Sequence, residues 1–171
     1  MSTSHNVEVK LSAIQGLGVF GLRPFGHGDS VSRVTVVRRV TEEQPLRPEI
    51  GELFDHCAYP ENRVVFLGFP DRHFNHSCDP NAYEAYESGK PIVRARRPIL
   101  AGEEITLDYN INIAGGDSWP CNCGAARCRG ETIGSYFKLP LAMQLEYLPL
   151  LADWFVARHR PRIAEIEQAG E

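Results

Sequence analysis

Three cysteines in the last third of the chain have the spacing of metal ligands. Cys121, Cys123 and Cys128 lie within eight residues, in the pattern C-x-C-x4-C. Thiolates at this spacing can converge on one tetrahedral ion, but a structural zinc site normally has four ligands. Gly124 and the two alanines after it permit the tight turn that a zinc knuckle needs. The spacing therefore predicts a zinc site whose fourth ligand comes from elsewhere in the chain.

Three residues are candidates for the fourth zinc ligand. Cys78 is the natural choice and Cys57 its competitor, whereas His76 lies two residues from Cys78 and would crowd the same face of its loop. The start of the chain shows no secretory signal, and five cysteines without such a signal favour metal binding over disulfides. Four cysteine ligands would leave no open position, so the zinc would be architectural. An unmetallated loop with free or disulfide-paired thiols stays open.

The segment around Cys78 is unusually polar. Residues 72–81 read Arg-His-Phe-Asn-His-Ser-Cys-Asp-Pro-Asn and close on a strong turn signal. Ten residues of this polarity predict a loop whose side chains face a ligand. Asn75 by itself is equally typical of a turn cap, and His76 of a side chain that holds the loop through hydrogen bonds.

Two further segments have residue types that can do chemistry. Residues 102–109 read Gly-Glu-Glu-Ile-Thr-Leu-Asp-Tyr, although Tyr109 alone would be read as a core tyrosine. Residues 16–21 match Gly-x-Gly-x-x-Gly, but Arg23-Pro24 follows at once and no helix can begin there to receive a pyrophosphate. A dinucleotide-binding fold is therefore not expected, and these glycines alone favour a hairpin turn.

The elements predicted around these segments are mostly strands. Short, turn-punctuated apolar runs predict strands at 7–11, 31–40, 63–69 and 105–109, and a hairpin of 82–86 with 92–96. Residues 41–60 suggest one or two short helices. Helical spacing over 141–155 predicts a helix that Pro149 kinks or splits, and the polar tail to Glu171 is expected to fray. At 171 residues, the chain has the size of one domain.

Taken together, four segments resemble the motifs of the SET-domain protein lysine methyltransferases in the family's order. They are residues 16–20, 72–81, 102–109 and the post-SET knuckle C-x-C-x4-C-R-G at 121–130. The resemblance spans about residues 7–135 and implies a mostly β, β-clip fold of small curved sheets, followed here by C-terminal helices. It implies a SET core at 1–112 with a variable insert at 41–70, a post-SET zinc loop at 113–135 and a helical extension at 136–171.

The resemblance also implies S-adenosylmethionine as cofactor, one structural zinc ion and a protein lysine as methyl acceptor. The segment that ends at Tyr109 would thread beneath the preceding chain as a pseudoknot, an exception to the usual avoidance of threading, and Tyr109 would be catalytic. By the same resemblance the cofactor-binding residues are Gly16, Leu17, Gly18, Arg72, Asn75, His76, Tyr109 and Asn122, and the metal ligands are Cys78, Cys121, Cys123 and Cys128.

Two positions depart from the family pattern. His73 stands where the family usually has an aromatic residue. Leu107 is neither Phe nor Tyr, at a position that often helps to set how many methyl groups are added. The degree of methylation therefore stays open.

The net charge and the composition limit the classes of partner that this chain is expected to bind. The net charge of −4 argues against broad nucleic-acid binding and suits a basic protein or peptide substrate, such as a histone tail. The most apolar stretch, 139–157, has acidic residues and two prolines, so no membrane span is expected. An intracellular location follows, either cytoplasmic or, for an effector delivered to a host, nuclear or secreted. A homodimer stays open, as do two other functions: a non-catalytic SET-fold binding module and a methyltransferase for a small-molecule amine.

Overall fold

The computed structural model describes residues 6–170 and divides them into two compact units. The first unit comprises the chain through His76 together with Pro80–Leu107. The second comprises Ser77–Asp79 together with the chain from Asp108 onward. Residues 1–5 and Glu171 lie outside the described residues. The predictions that the chain starts without a secretory signal and that its C-terminal end frays depend partly on them.

Twelve short strands and three helices are present among the described residues. The strands are β1 (Val7–Leu11), β2 (Leu17–Gly21), β3 (Ser30–Arg33), β4 (Val36–Arg39), β5 (Cys57–Ala58), β6 (Val65–Leu67), β7 (Asn75–His76), β8 (Ala82–Glu87), β9 (Lys90–Ala95), β10 (Glu104–Leu107), β11 (Trp119–Pro120) and β12 (Glu131–Thr132). The helices are α1 (Leu141–Tyr147), α2 (Asp153–Arg158) and α3 (Arg160–Ala169). The predicted class, mostly β with C-terminal helices, is confirmed.

One four-stranded sheet of the first unit gathers three of the sequence motifs. Its order is β1-β2-β10-β7. Strand β2 is antiparallel to both β1 and β10, whereas β7 runs parallel to β10, with Asn75 opposite Thr106 and His76 opposite Leu107. Val19 of β2 and Ile105 of β10 lie opposite each other in this sheet and are fully buried. The expected strand to Tyr109 ends two residues early, at Leu107.

The predicted single strand at 31–40 is wrong, because the chain forms β3 and β4 in two different sheets. The break coincides with hydrogen bonds to Asp71, whose carboxylate accepts from Ser32 Oγ at 2.7 Å and from the backbone N–H of Thr35 at 2.9 Å. Burial raises the pKa of Asp71, and these hydrogen bonds oppose that shift. The composition of residues 31–40 favours one strand, but the buried carboxylate of Asp71 binds this segment where β3 ends and β4 begins.

The other two sheets of the first unit are three-stranded. Their orders are β3-β9-β8 and β4-β6-β5. The predicted hairpin is confirmed as β8 and β9, which pair from Ala82 opposite Ala95 to Glu87 opposite Lys90. The expected short helices before β5 are 3-10 turns at Pro48–Ile50 and Phe54–His56.

Glu52 connects the segment before β5 to β4. Its side chain is only 7% exposed, and its carboxylate accepts hydrogen bonds from Arg38 and, at 2.6 Å, from Arg47 Nη2. The hydrogen bond from Arg47 is the main cause that lowers the pKa of Glu52 from 4.5 to about 2; burial opposes it and Arg38 assists it.

Replacing Glu52 by glutamine is expected to lower the free energy of unfolding at pH 7. A carboxyl group whose pKa is depressed in the folded state stabilises the fold above its unfolded pKa, and this contribution is lost as the pH falls from about 4.5 towards about 2. The difference between wild type and Glu52→Gln should therefore shrink between pH 7 and pH 3 in urea unfolding. Glu49→Gln, at an exposed neighbouring position, is the control. A difference that stays constant with pH would contradict the assignment.

The second unit has the two-stranded sheet β11-β12 and the three helices. As predicted, Pro149 splits the helical run: α1 ends at Tyr147, a 3-10 turn follows at Leu148–Leu150, and α2 starts at Asp153. The expected frayed tail is wrong for the described residues, since α3 runs to Ala169 and buries Ile163 and Ile166. Among the helices described, none is long and apolar enough to cross a bilayer.

Candidate active site and metal centre

The side-chain amide of Asn75 joins two of the sequence motifs in the first unit. Its Nδ2 donates to the backbone carbonyls of Gln15 and Leu17 at 3.1 and 3.0 Å, and to Glu104 Oε1 at 2.8 Å. Short polar side chains in loops usually bond to their own neighbours. Asn75 instead contacts residues about 60 and 29 positions away. This is a tertiary role, which a plain turn cap does not have.

The glycine segment packs closely against the same acidic side chain. A Cβ at position 18 would lie 2.2 Å from Glu104 Oε1, which is too close for any side chain unless Glu104 moved. Glu104 is held in place because it also accepts from Ser12 Oγ at 2.8 Å. Gly16 has a φ of +49°, in the left-handed region that favours glycine. The backbone at position 16 and the close approach of Glu104 at position 18 therefore both favour glycine.

Asn81, at the end of the polar segment, determines how that segment meets β10. Its Nδ2 donates to Glu103 Oε1 at 3.0 Å and to the backbone carbonyl of Glu104 at 2.7 Å, while its Oδ1 accepts from the N–H of Thr106 at 2.9 Å. It is 2% exposed. Asn81 and both glutamates stand in the sequence motifs, but no functional role was predicted for them. The available signal was their polarity between apolar strand residues.

Arg72 and His73 lie in the 3-10 turn just before β7. Arg72 Nε is 3.3 Å from His73 Nε2, and its guanidinium carbon is 6.0 Å from the centre of the Phe66 ring. The His73 ring packs edge-on to those of His56 and Phe69, with centroids 5.3 and 5.9 Å apart. Burial, then the charge of Arg72, lowers the pKa of His73. His73 therefore packs against other aromatic rings, as the aromatic residue expected at this position would.

The second unit brings together four of the five cysteines. The sulfur atoms of Cys78, Cys121, Cys123 and Cys128 all lie within 4.8 Å of one another. Cys78 is fully buried and the other three are partly buried. Cys57 belongs to the first unit and is not in this group.

Backbone N–H groups surround the clustered sulfur atoms. Cys123 Sγ lies 3.4 Å from the N–H of Cys78, and Cys78 Sγ lies 3.4 Å from the N–H of Arg129. Burial raises the pKa of Cys78. For Cys123, burial acts in the same direction, but hydrogen bonds from the backbone of Cys78 and Ala125 outweigh it and lower the pKa to about 7. Donors aimed at sulfur favour the thiolate, which is the form that binds a metal.

Tyr109 is half-buried in the second unit, between two neighbours whose side chains form hydrogen bonds. The carboxylate of Asp108 accepts from both Nη atoms of Arg129 at 2.8 and 2.9 Å, and from the side chain of Asn110 at 2.7 Å. His76 is buried in the first unit, whereas Asn122 is exposed in the second. The ion pair of Asp108 with Arg129 was not foreseen, although both residues stand in quoted motifs.

The protein is rich in β-strands. In its first unit Asn75 binds the glycine segment, and its second unit contains a cluster of four cysteines. The model of the SET domain family matches residues 16–110, more than half of the 171-residue chain. The chain therefore belongs to the SET domain family, as its motifs predicted.

Relatives of this chain include named histone methyltransferases. An H3 lysine-4 specific histone-lysine N-methyltransferase of Cryptococcus neoformans is 32% identical over 135 residues, which cover 70% of this chain and 9% of the relative. Histone-lysine N-methyltransferase 2B of Homo sapiens is 36% identical over 135 residues, which cover 72% of this chain and 5% of the relative. The chain thus spans less than a tenth of either relative. A solved Plasmodium falciparum structure, assigned as a candidate histone methyltransferase, covers 60% of this chain and 90% of its own at 24% identity, with a TM-score of 0.48.

Proposed function

We propose that this chain transfers methyl groups from S-adenosylmethionine to a lysine side chain of a basic protein, such as a histone tail, inside the cell. One observation carries the proposal: the Asn75 amide joins the glycine segment to β10, which ends two residues before Tyr109. Membership of the SET family and the named relatives support the same reaction. The net charge of −4 suits a basic substrate.

The residues of the first unit fit an S-adenosylmethionine site. Glycine at position 18 lets the Glu104 carboxylate, which accepts a hydrogen bond from Asn75, pack against the glycine segment. The left-handed turn at Gly16 lies at an exposed position, where a ligand can approach the backbone. The guanidinium of Arg72 supplies a charge for the carboxylate of the cofactor, and Asn75 and His76 lie three and four residues further along. Leu17, Tyr109 and Asn122 complete the proposed set. The bound cofactor supplies an electrophilic methyl group on a sulfonium centre.

The acceptor amine must be neutral to attack a methyl group. A lysine with its usual pKa of about 10.4 is neutral in roughly one molecule per thousand near pH 7.4. Apolar surroundings lower that pKa because they disfavour the charged form. In this proposal, the Tyr109 hydroxyl accepts a hydrogen bond from the amine and aligns its lone pair with the methyl carbon. Alignment and exclusion of water then provide most of the acceleration.

We further propose that the cysteine cluster binds one structural zinc ion through Cys78, Cys121, Cys123 and Cys128. Four sulfur atoms within 4.8 Å of one another, with N–H groups aimed at them, suit a closed tetrathiolate site. The residue 72–81 segment would then serve the cofactor through Arg72 and Asn75 and the metal through Cys78. We retain a SET core at 1–112 with an insert at 41–70, a zinc loop at 113–135 and a helical extension at 136–171 as the proposed organisation.

The reaction is tested by transfer of a labelled methyl group from S-adenosylmethionine to three kinds of acceptor. These are core histones, a lysine peptide array and a panel of small amines. Methylated lysine identified by mass spectrometry is the expected product. Transfer only to small amines would show that the substrate is a small-molecule amine and not a protein lysine. Absence of both transfer and calorimetric cofactor binding would overturn the proposal in favour of a binding module.

Replacing Asn75 by alanine is expected to weaken S-adenosylmethionine binding by about 10-fold or more, because it removes the amide that connects three chain segments at the proposed site. Calorimetry with purified protein measures the change. Ser12→Ala is the matched control, since it removes a hydrogen bond to the same Glu104 carboxylate without touching the amide. Equal loss of affinity in both variants would assign the effect to Glu104 and contradict a direct role for Asn75.

A further inference from the structure

Arg129 forms a buried ion pair that the proposed reaction does not yet use. Its two Nη atoms donate to the two carboxylate oxygens of Asp108 at 2.8 and 2.9 Å. The Asp108 side chain is fully buried and that of Arg129 is 9% exposed. Two parallel hydrogen bonds of this kind determine orientation as well as distance, because the planar guanidinium matches the carboxylate.

The backbone of Arg129 belongs to the cysteine cluster. Arg129 directly follows Cys128, and its N–H lies 3.4 Å from Cys78 Sγ. Helix α1 covers the same place: Met143 Sδ is 3.9 Å from Arg129 Nη1, and the buried hydroxyl of Tyr147 donates to the Cys78 carbonyl at 3.4 Å. Movement of the cluster would therefore be transmitted to the guanidinium.

The far end of the ion pair holds the backbone on both sides of Tyr109. Asp108 Oδ1 also accepts from the N–H and the side-chain amide of Asn110, at 3.0 and 2.7 Å. Asn110 in turn accepts from the N–H of Ile133 at 3.0 Å and is fully buried. The residues before and after Tyr109 are thus tied to one carboxylate, and Arg129 orients that carboxylate.

We propose that Arg129 is a positioning residue for Tyr109, which couples the geometry of the cysteine cluster to that of the active-site tyrosine through Asp108. The inference rests on the proposed function for its catalytic consequence only. Loss of the two-pronged contact would let the segment 108–110 shift, and the Tyr109 hydroxyl would shift with it.

Arg127 provides a matched comparison on the other side of Cys128. It also makes a two-pronged ion pair, with Glu146 at 3.1 and 2.7 Å, but these side chains are 39% and 31% exposed. Neither residue of that pair is a sequence neighbour of Tyr109, whereas Arg129 binds the residue directly before it. Replacing either arginine by lysine keeps the charge and removes the planar fork. Only the change at position 129 should therefore affect the tyrosine.

The test places 3-fluorotyrosine at position 109 and records its fluorine NMR resonance in wild type, Arg129→Lys and Arg127→Lys. We expect a shifted or broadened resonance in Arg129→Lys and a resonance matching wild type in Arg127→Lys. In kinetics of the unlabelled proteins, kcat should fall about 10-fold or more in Arg129→Lys, with the peptide KM unchanged within about 2-fold. Asp108→Asn alters the same pair from its other side and should reproduce the result if Arg129→Lys does not fold.

A wild-type resonance and kcat in Arg129→Lys would overturn the proposal, even if its unfolding midpoint fell, since the pair would then serve stability alone. Equal fluorine shifts in Arg129→Lys and Arg127→Lys would also overturn the proposal, because the shift would then reflect a general disturbance of the loop around Cys128. If wild-type protein methylates no acceptor, the proposed reaction fails, whereas the fluorine resonances still decide whether Arg129 positions Tyr109.

Discussion

Replacing Tyr109 by phenylalanine is expected to lower the rate of methyl transfer by about 10²–10³-fold, the usual effect of removing one well-placed hydrogen-bonding group from an active site. The substitution deletes one oxygen and keeps the ring, so the packing of the half-buried side chain is retained. The acceptor amine would still bind, but its lone pair would no longer be aligned with the methyl carbon. The change is measured by single-turnover transfer of a labelled methyl group from the cofactor to a lysine peptide that the wild-type protein methylates.

Tyr136→Phe is the control for loss of a tyrosine hydroxyl. Tyr136 is fully buried in the same unit, and its hydroxyl donates to the Gln144 carbonyl. Removing that hydrogen bond should cost about 1 kcal/mol of stability and leave kcat unchanged. Zinc content should be the same as wild type in both variants, and cofactor affinity should be unchanged in Tyr136→Phe. A Tyr109→Phe protein that transfers methyl groups at the wild-type rate would remove Tyr109 from the proposed catalytic role.

Replacing Cys78 by serine is expected to abolish zinc binding and to destabilise the second unit by on the order of 4 kcal/mol or more. Cys78 is the fully buried member of the cluster, and serine supplies no thiolate. The remaining three sulfur atoms would leave one coordination position empty. Elemental analysis should fall from about one zinc per chain to near zero. The unfolding midpoint should fall by roughly 10 °C.

The fifth cysteine makes this result specific. Cys57 lies in the first unit, outside the cluster, so Cys57→Ser should keep the metal and most of the stability. Cys78→Ser should also weaken S-adenosylmethionine binding, although Cys78 is not a proposed cofactor contact, because its segment also supplies Arg72 and Asn75. Native protein without zinc, or equal zinc content in the two serine variants, would refute the proposed metal site.

Local chemistry made several predictions accurate. Pro149 cannot continue a helix, so the end of α1 was predictable from one residue. The hairpin of β8 and β9 is a contact between neighbours in sequence, and its alternation and turn residues were sufficient to predict it.

Other features depended on distant partners. Residues 31–40 favour one strand by composition, yet Asp71, some 36 to 39 positions away, bonds to Ser32 and Thr35 where that run breaks. Burial of Ile163 and Ile166 stabilises α3, although its polar sequence predicted a frayed end. Propensity describes one segment at a time, so it cannot include a partner that only the folded chain supplies.

The sequence by itself determined the family and the chemical groups: the cysteine spacing, the Asn-His segment, the glycines and the segment that ends at Tyr109. These groups are recognisable because the spacing of ligands and turn residues is a property of the chain. Only the tertiary structure decided which of those groups meet. It gathered Cys78 with cysteines 43 to 50 residues later, aimed the Asn75 amide at the glycine segment, and paired Arg129 with Asp108. Such contacts depend on loop closure over long separations, which no local pattern encodes.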